Sequence, residues 1–162
     1  MLRWLCLGLL AAAAALAVPA LGAAAEGQPG AEEPRQSAAA DAALQVMQAF
    51  LAAFNARDEK AWADTLVYPH VRIASGGVVV YPSREAFVAD HDLERFAAQT
   101  GWHHSTWDDL RVVQESPTKV HVAVIFSRYR ADGSRLASYH SLYVIEQVDG
   151  RWGVRARSSF AP

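Results

Sequence analysis

Cysteine is nearly absent: the 162 residues hold one, Cys6, inside an apolar N-terminal run. Without that run the chain has no thiol, which excludes disulfides, thiolate metal sites and cysteine nucleophiles together. An excess of either charge is missing too. Fifteen Lys and Arg stand against 17 Asp and Glu, a formal net charge of -2. That balance gives no broad electropositive surface for counterion release, so nucleic acid is not an expected partner. There is no dinucleotide fingerprint, phosphate-cradling glycine loop or serine-nucleophile elbow, and Ser75-Gly76-Gly77 is too short and wrongly placed for any of them. No cofactor is expected. Internal repeats and heptads are also lacking.

What is present begins with a processing signal. Arg3 supplies a basic start, residues 4–18 are almost uninterruptedly apolar, and Ala20, Gly22, Ala23, Ala24 and Ala25 are the small residues of a cleavage region. The run is short for a ~30 Å hydrocarbon core. Residues 1–25 therefore read as a secretory signal peptide, and the mature protein as exported, periplasmic or secreted, with no membrane association after cleavage. Residues 26–37, rich in Gly, Pro, Glu and Ala, read as a flexible linker. Residues 38–162 are left for one domain.

Within it, Leu44, Met47, Phe50, Leu51 and Phe54 recur at helical steps, and Asn55-Ala56-Arg57 ends that helix. Asp58 is an N-cap for a short second helix carrying Trp62 and Leu66. His70 to Ala74 and Val78 to Tyr81 form a hairpin across Ser75-Gly76-Gly77. Ser83 caps a third helix, with Phe87, Leu93 and Phe96 as buried candidates and Thr100-Gly101 as its stop. Four strands follow, 103–115, 120–130, 135–147 and 151–160, parted by Ser116-Pro117, Asp132-Gly133 and Asp149-Gly150. Helices grouped toward one end and consecutive strands at the other predict an α+β layer arrangement.

The Asp-Gly turns fix which side chains share a face. Two-residue loops place Ile145 opposite Val154, Tyr143 opposite Ala156 and Val122, Ser141 opposite Ser158 and Val124, and Tyr139 opposite Phe126. One face then carries Val120, Val122, Val124, Phe126, Tyr139, Ser141, Tyr143, Ile145, Trp152, Val154, Ala156 and Ser158, and it is the better partner for the helices. The other carries His121, Ala123, Ile125, Ser127, Ser138, His140, Leu142, Val144, Arg155 and Arg157. Strand 103–115 has two registers, one sending Trp107, Asp109 and Arg111 inward, the other His104, Thr106, Asp108 and Leu110. The second gives the more apolar continuation through Val112.

The segment Phe50-Leu51-Ala52-Ala53-Phe54-Asn55-Ala56-Arg57-Asp58, followed by a short helix, a Gly-bearing hairpin, a helix and a meander ending in Asp149-Gly150-Arg151-Trp152, resembles the nuclear transport factor two-like superfamily. Ketosteroid isomerases and SnoaL-like cyclases belong to it. The resemblance implies a cone-shaped fold, three N-terminal helices packed on a curved, mostly antiparallel sheet of about six strands, around a pocket that hosts unrelated activities. Aligned on the ketosteroid isomerases, their oxyanion tyrosine falls on Phe50 and their general-base aspartate near Ala74. Neither residue can do that chemistry. The alignment does imply that Ala74, Arg72 and His70 share a parity that points into the pocket.

The expected pocket is lined by Phe50, Phe54, Trp62, Arg72, Phe126, Tyr139, Ser141, Tyr143, Val154 and Ser158, apolar walls with a few directional hydroxyls. The leading expectation is binding of a small apolar or aromatic molecule. The alternative is a cofactor-independent lyase, isomerase or cyclase in which His70 moves the proton, assisted by Asp108, His104 or Tyr139. His104 and Asp108 share a strand face but lie roughly 13 Å apart along it, too far for a dyad. No metal site is expected, since the neighbours His103 and His104 point to opposite faces. A third reading makes the outer face, with His121, His140, Leu142 and Val144, a homodimer or partner surface.

Overall fold

A computed structural model describes residues 37–162. The expected signal peptide, and all of the expected linker but Ser37, lie outside the described residues. Ser37 opens the first helix, α1 (Ala38–Asn55), by accepting the Ala40 N–H on its hydroxyl at 3.0 Å. The buried stripe of α1 is Ala40, Ala43, Met47, Phe50 and Ala53, with Leu44 and Phe54 packed along its flank. Asn55 anchors the far end: its amide donates to the Ser105 carbonyl at 2.9 Å, and its carbonyl accepts the Ser105 N–H at 2.8 Å.

Asp58 caps α2 (Glu59–Asp64), which buries Trp62 and Ala63. This helix is shorter than expected: Leu66 already belongs to β1 (Leu66–Ala74), which pairs with β2 (Gly77–Tyr81) from His70↔Tyr81 to Ala74↔Gly77. The third expected helix is divided. Ser83 caps α3 (Arg84–Asp90), the chain straightens at His91, and Asp92 caps α4 (Leu93–Thr100) by accepting the Arg95 N–H at 2.8 Å. A second capping carboxylate inside an apolar pattern favours a new helix start over continuation. Gly101, at φ 73°, supplies the left-handed stop.

The remaining strands are β3 (His104–Ser116), β4 (Lys119–Tyr129), β5 (Arg135–Val148) and β6 (Arg151–Ser159). They complete a six-stranded sheet in the order β2-β1-β6-β5-β4-β3, antiparallel except where β1 runs parallel to β6. The helices cover one face. Met47, Phe50 and Trp62 pack there against Val120, Val122, Tyr143, Ile145 and Val154. The fold is the α+β cone with a curved, mostly antiparallel sheet that the sequence predicts.

The Asp149-Gly150 turn sets the expected register at its own end, Val148↔Arg151 and Ile145↔Val154; beside Asp132-Gly133 the pairing is offset, with Tyr129 opposite Arg135, and the expected Val122↔Tyr143, Val124↔Ser141 and Phe126↔Tyr139 hold from Arg128 onward. Two β-bulges then change the outcome farther along. In β6, Arg155 is an extra residue between Ile145↔Val154 and Val144↔Ala156. Beyond it the parity reverses, so Tyr143 faces Arg157, Ser141 faces Ser159, and Ser158 is exposed. In β3, Asp108 is the extra residue between Trp107↔Phe126 and Asp109↔Ile125. Each of its two registers is therefore right for half the strand. Leu110 and Val112 face inward as the second register expects, but so does Trp107, while His104 and Thr106 pair with the outward Tyr129 and Ser127.

Candidate functional site

The bulge in β6 turns Arg157 from the outer face to the inner one. There it sits in register with Arg72 of β1, so two like charges lie on adjacent strands of one face, a pairing that destabilises a sheet. Arg128 joins them from β4, two residues past Phe126 on the same inward parity. Aromatic rings receive these cations. The Arg157 guanidinium lies 5.5 Å from the Trp62 ring centre and 5.8 Å from Phe50; that of Arg128 lies 5.0 Å from Phe96, 5.3 Å from Tyr139 and 5.6 Å from Phe126.

A cavity of 310 Å³ opens over the arginines, at the lower end of the ~300–1,000 Å³ range of small-molecule sites. Its apolar wall is Phe54, Trp62, Leu93 and Phe96; Arg72, Arg95, Arg128, Arg157, Asp90 and Asp92 supply its charges. A recess of 30 Å³, room for about one water, shares Phe54, Arg128 and Arg157 with it and reaches Phe50, Phe126 and Tyr143.

The carboxylates do not neutralise the arginines. Asp90 accepts the Tyr81 hydroxyl at 2.8 Å, and Asp92 caps α4. Among the described residues, Arg128 and Arg157 form no ion pair with an Asp or Glu side chain, and their buried Nε–H groups have no hydrogen-bond partner. Arg72 donates to the Pro162 carbonyl at 3.1 Å. Burial, and then the neighbouring Arg157, lower the pKa of Arg72 below the usual arginine range; Arg128 is lowered by burial above all. An orphaned buried donor costs about 1–3 kcal/mol, and the guanidiniums that carry these two are half-buried. Stability alone does not account for Arg128 and Arg157.

The predicted site residues divide. Phe54, Trp62 and Arg72 line the main cavity, and Phe50, Phe126 and Tyr143 line the recess. Tyr139 packs under Arg128, and Val154 is wholly buried in the core. Ser141 donates to the Ser159 hydroxyl at 2.8 Å. Ser158 lies outside the pocket, because the bulge reverses its parity.

His70 keeps its inward parity but is sealed, 1% exposed, between Tyr81 and Phe87, with Nδ1 donating to the Val154 carbonyl at 3.0 Å. Burial pushes its pKa down to about 4, so it is neutral at neutral pH. His104 and Asp108 are on the other side of the sheet: His104 stacks on Tyr129, and Asp108, exposed at its bulge, accepts the Ser127 and Thr106 hydroxyls. The three expected proton carriers do not meet. The sequence reading also missed Arg128, Arg157 and His91. Arg128 needed only one more step of the alternation that ends at Phe126. Arg157 needed the bulge, and His91 needed the helix break.

His91 stands in the cavity wall, its Nδ1 donating to the Phe87 carbonyl at 2.7 Å, and burial lowers its pKa. Nε2 is the nitrogen left to act as an acceptor.

Comparison with solved structures finds the same architecture repeatedly. An NTF2-like protein with a cystatin-like fold from Novosphingobium aromaticivorans matches at TM-score 0.62 and 12% identity, over 75% of this chain and 80% of that one. A ketosteroid isomerase-like protein from Erwinia carotovora atroseptica matches at TM-score 0.55 and 20% identity, over 75% and 96%. A protein from Catenulispora acidiphila, solved in complex with S-DNPA, matches at TM-score 0.59 and 19% identity, over 74% and 90%. At these identities the likeness shows the fold. Comparison with curated proteins gives no match. A family match spans residues 40–159, from the first buried turn of α1 to the last residue of β6, which is the whole frame that carries the pocket. The chain belongs to that family, described as NTF2-like protein (DUF6841).

Proposed function

We propose that this chain is an exported protein that holds a small aromatic or apolar molecule in the cavity between α4 and the inner sheet face without turning it over. The observation that carries this reading is the 310 Å³ cavity walled by Phe54, Trp62, Leu93 and Phe96, from which the expected proton carrier His70 is sealed off. Export rests on the basic start, the short apolar run and the small residues of positions 1–25. An NTF2-like frame suits either a small-molecule binder or an isomerase-like enzyme.

One observation favours the second of these: His91 lines the cavity with its tautomer set by the Phe87 carbonyl, the arrangement of a general base. Ligand-observed NMR with a library of one- and two-ring aromatic compounds separates the readings. Saturable binding of compounds recovered unchanged supports the binder. Conversion that His91→Ala abolishes, with thermal stability kept, supports a lyase or isomerase. A library with no binder would sink both.

A further inference from the structure

The three pocket arginines are not used by a reading that asks only for apolar walls. They lie where a sheet least tolerates them: Arg72 beside Arg157 on neighbouring strands, and Arg128 and Arg157 with buried, unpartnered Nε–H groups. Four guanidiniums line the cavity against two carboxylates, in a chain whose net charge is -2. Both carboxylates are committed, Asp90 to the Tyr81 hydroxyl and Asp92 to the start of α4. The cavity is thus a local concentration of positive charge inside a mildly acidic protein.

We propose that Arg128 and Arg157, with Arg72 beside them, form the site for the carboxylate of a small aromatic monocarboxylic acid, an assignment that rests on the small-molecule reading above. Arginine presents N–H groups in a planar fork that matches a carboxylate edge to edge. Arg128 and Arg157 stand at the junction of the cavity and the recess. The recess is too small for a ring, so the acid's head meets the guanidiniums and its body lies in the larger space against Phe54, Trp62, Leu93 and Phe96. A free inorganic anion would leave that apolar wall without a partner. An uncharged aromatic would leave the two Nε–H groups without one.

Titration calorimetry on the purified protein tests this with benzoate, phenylacetate and 1-naphthoate, their neutral amides, and inorganic phosphate. The expected result is that at least one acid binds about tenfold or more tightly than its amide, and that this preference shrinks as salt is raised. Arg128→Gln and Arg157→Gln are each expected to weaken the acid about tenfold and leave the amide unchanged, while Arg155→Gln on the outer face changes neither. Should either pocket variant fail to fold, the acid-to-amide ratio of the unaltered protein still decides.

An amide that binds as tightly as its acid overturns the carboxylate site and leaves the small-molecule reading standing. Phosphate that binds as tightly as the acids overturns the aromatic-acid assignment. Absence of binding by every acid and every amide overturns both the site and the reading beneath it.

Discussion

The two faces of the sheet treat charge in opposite ways. On the outer face Glu146 holds Arg155 at 2.7 Å and Lys119 at 3.0 Å, and Asp109 holds Arg111 at 2.7 Å. Lys119 and Arg111 are exposed and Arg155 is half-buried, and exposed pairs of this kind are worth only about 0–1 kcal/mol. On the inner face the half-buried Arg128 and Arg157 have no Asp or Glu partner among the described residues, and their Nε–H groups are buried without a hydrogen bond. A sheet selected for stability alone would have the reverse arrangement. The contrast is what the proposed ligand site on the inner face would explain, because buried donors without a partner persist where a ligand completes them.

The sharpest way to break the comparison is at the seam that creates it. Gly153 lies where β6 passes β1: a Cβ there would sit 2.9 Å from the Leu66 carbonyl carbon, 2.9 Å from Val67 Cγ1 and 3.0 Å from the Thr65 oxygen. Two of those atoms are backbone and cannot swing aside. Gly153→Ala is expected to destabilise the protein by about 2–4 kcal/mol in urea denaturation. An unchanged midpoint would mean that the parallel seam bringing Arg72 beside Arg157 is looser than drawn.

His70 probes the same inner face through pH. Its folded pKa of about 4 lies below the ordinary 6.5, so the unfolded chain takes up the proton first. The contribution is fully present above pH 6.5 and is lost as pH falls toward 4, by up to roughly 3 kcal/mol. His91, also lowered by burial, acts in the same direction. Unfolding free energies measured across that window should fall less steeply in His70→Asn than in the unaltered protein. Equal slopes would show that His70 is hydrated.

What the sequence disclosed follows from how local its signals are. The Asp58 and Ser83 caps, the Gly101 stop and the Asp149-Gly150 turn act within a few residues, and hydrophobic alternation placed β4 and β5 correctly from Val120 to Arg128. A β-bulge leaves no such mark. Arg155 and Asp108 are ordinary strand residues in composition, yet each moves everything beyond it to the opposite face. Trp62 and Phe54 were legible as pocket walls because they lie on helices before any bulge. Arg157 and Ser158 exchanged roles because they follow one. His91 was hidden inside what reads as one helix until Asp92 begins another.

The smaller effects turn the contrast between the faces into a difference of sign. Arg128→Met and Arg157→Met each replace a half-buried cation whose Nε–H has no partner with a flexible thioether that still packs on Phe50, Trp62 or Phe96. Each is expected to raise stability by about 1–3 kcal/mol while removing the preference for an acid. Arg155→Met should do the opposite. It breaks the bonds to Glu146 and to the Pro69 carbonyl, whose distances are 2.7 and 3.0 Å, and lowers stability by about 1 kcal/mol. The same substitution in one strand, two residues apart, then raises stability on the inner face and lowers it on the outer. Were Arg157→Met to cost as much as Arg155→Met, its stacking on Trp62 and Phe50 would outweigh its desolvation, and the inner arginines would be structural pillars of the cone.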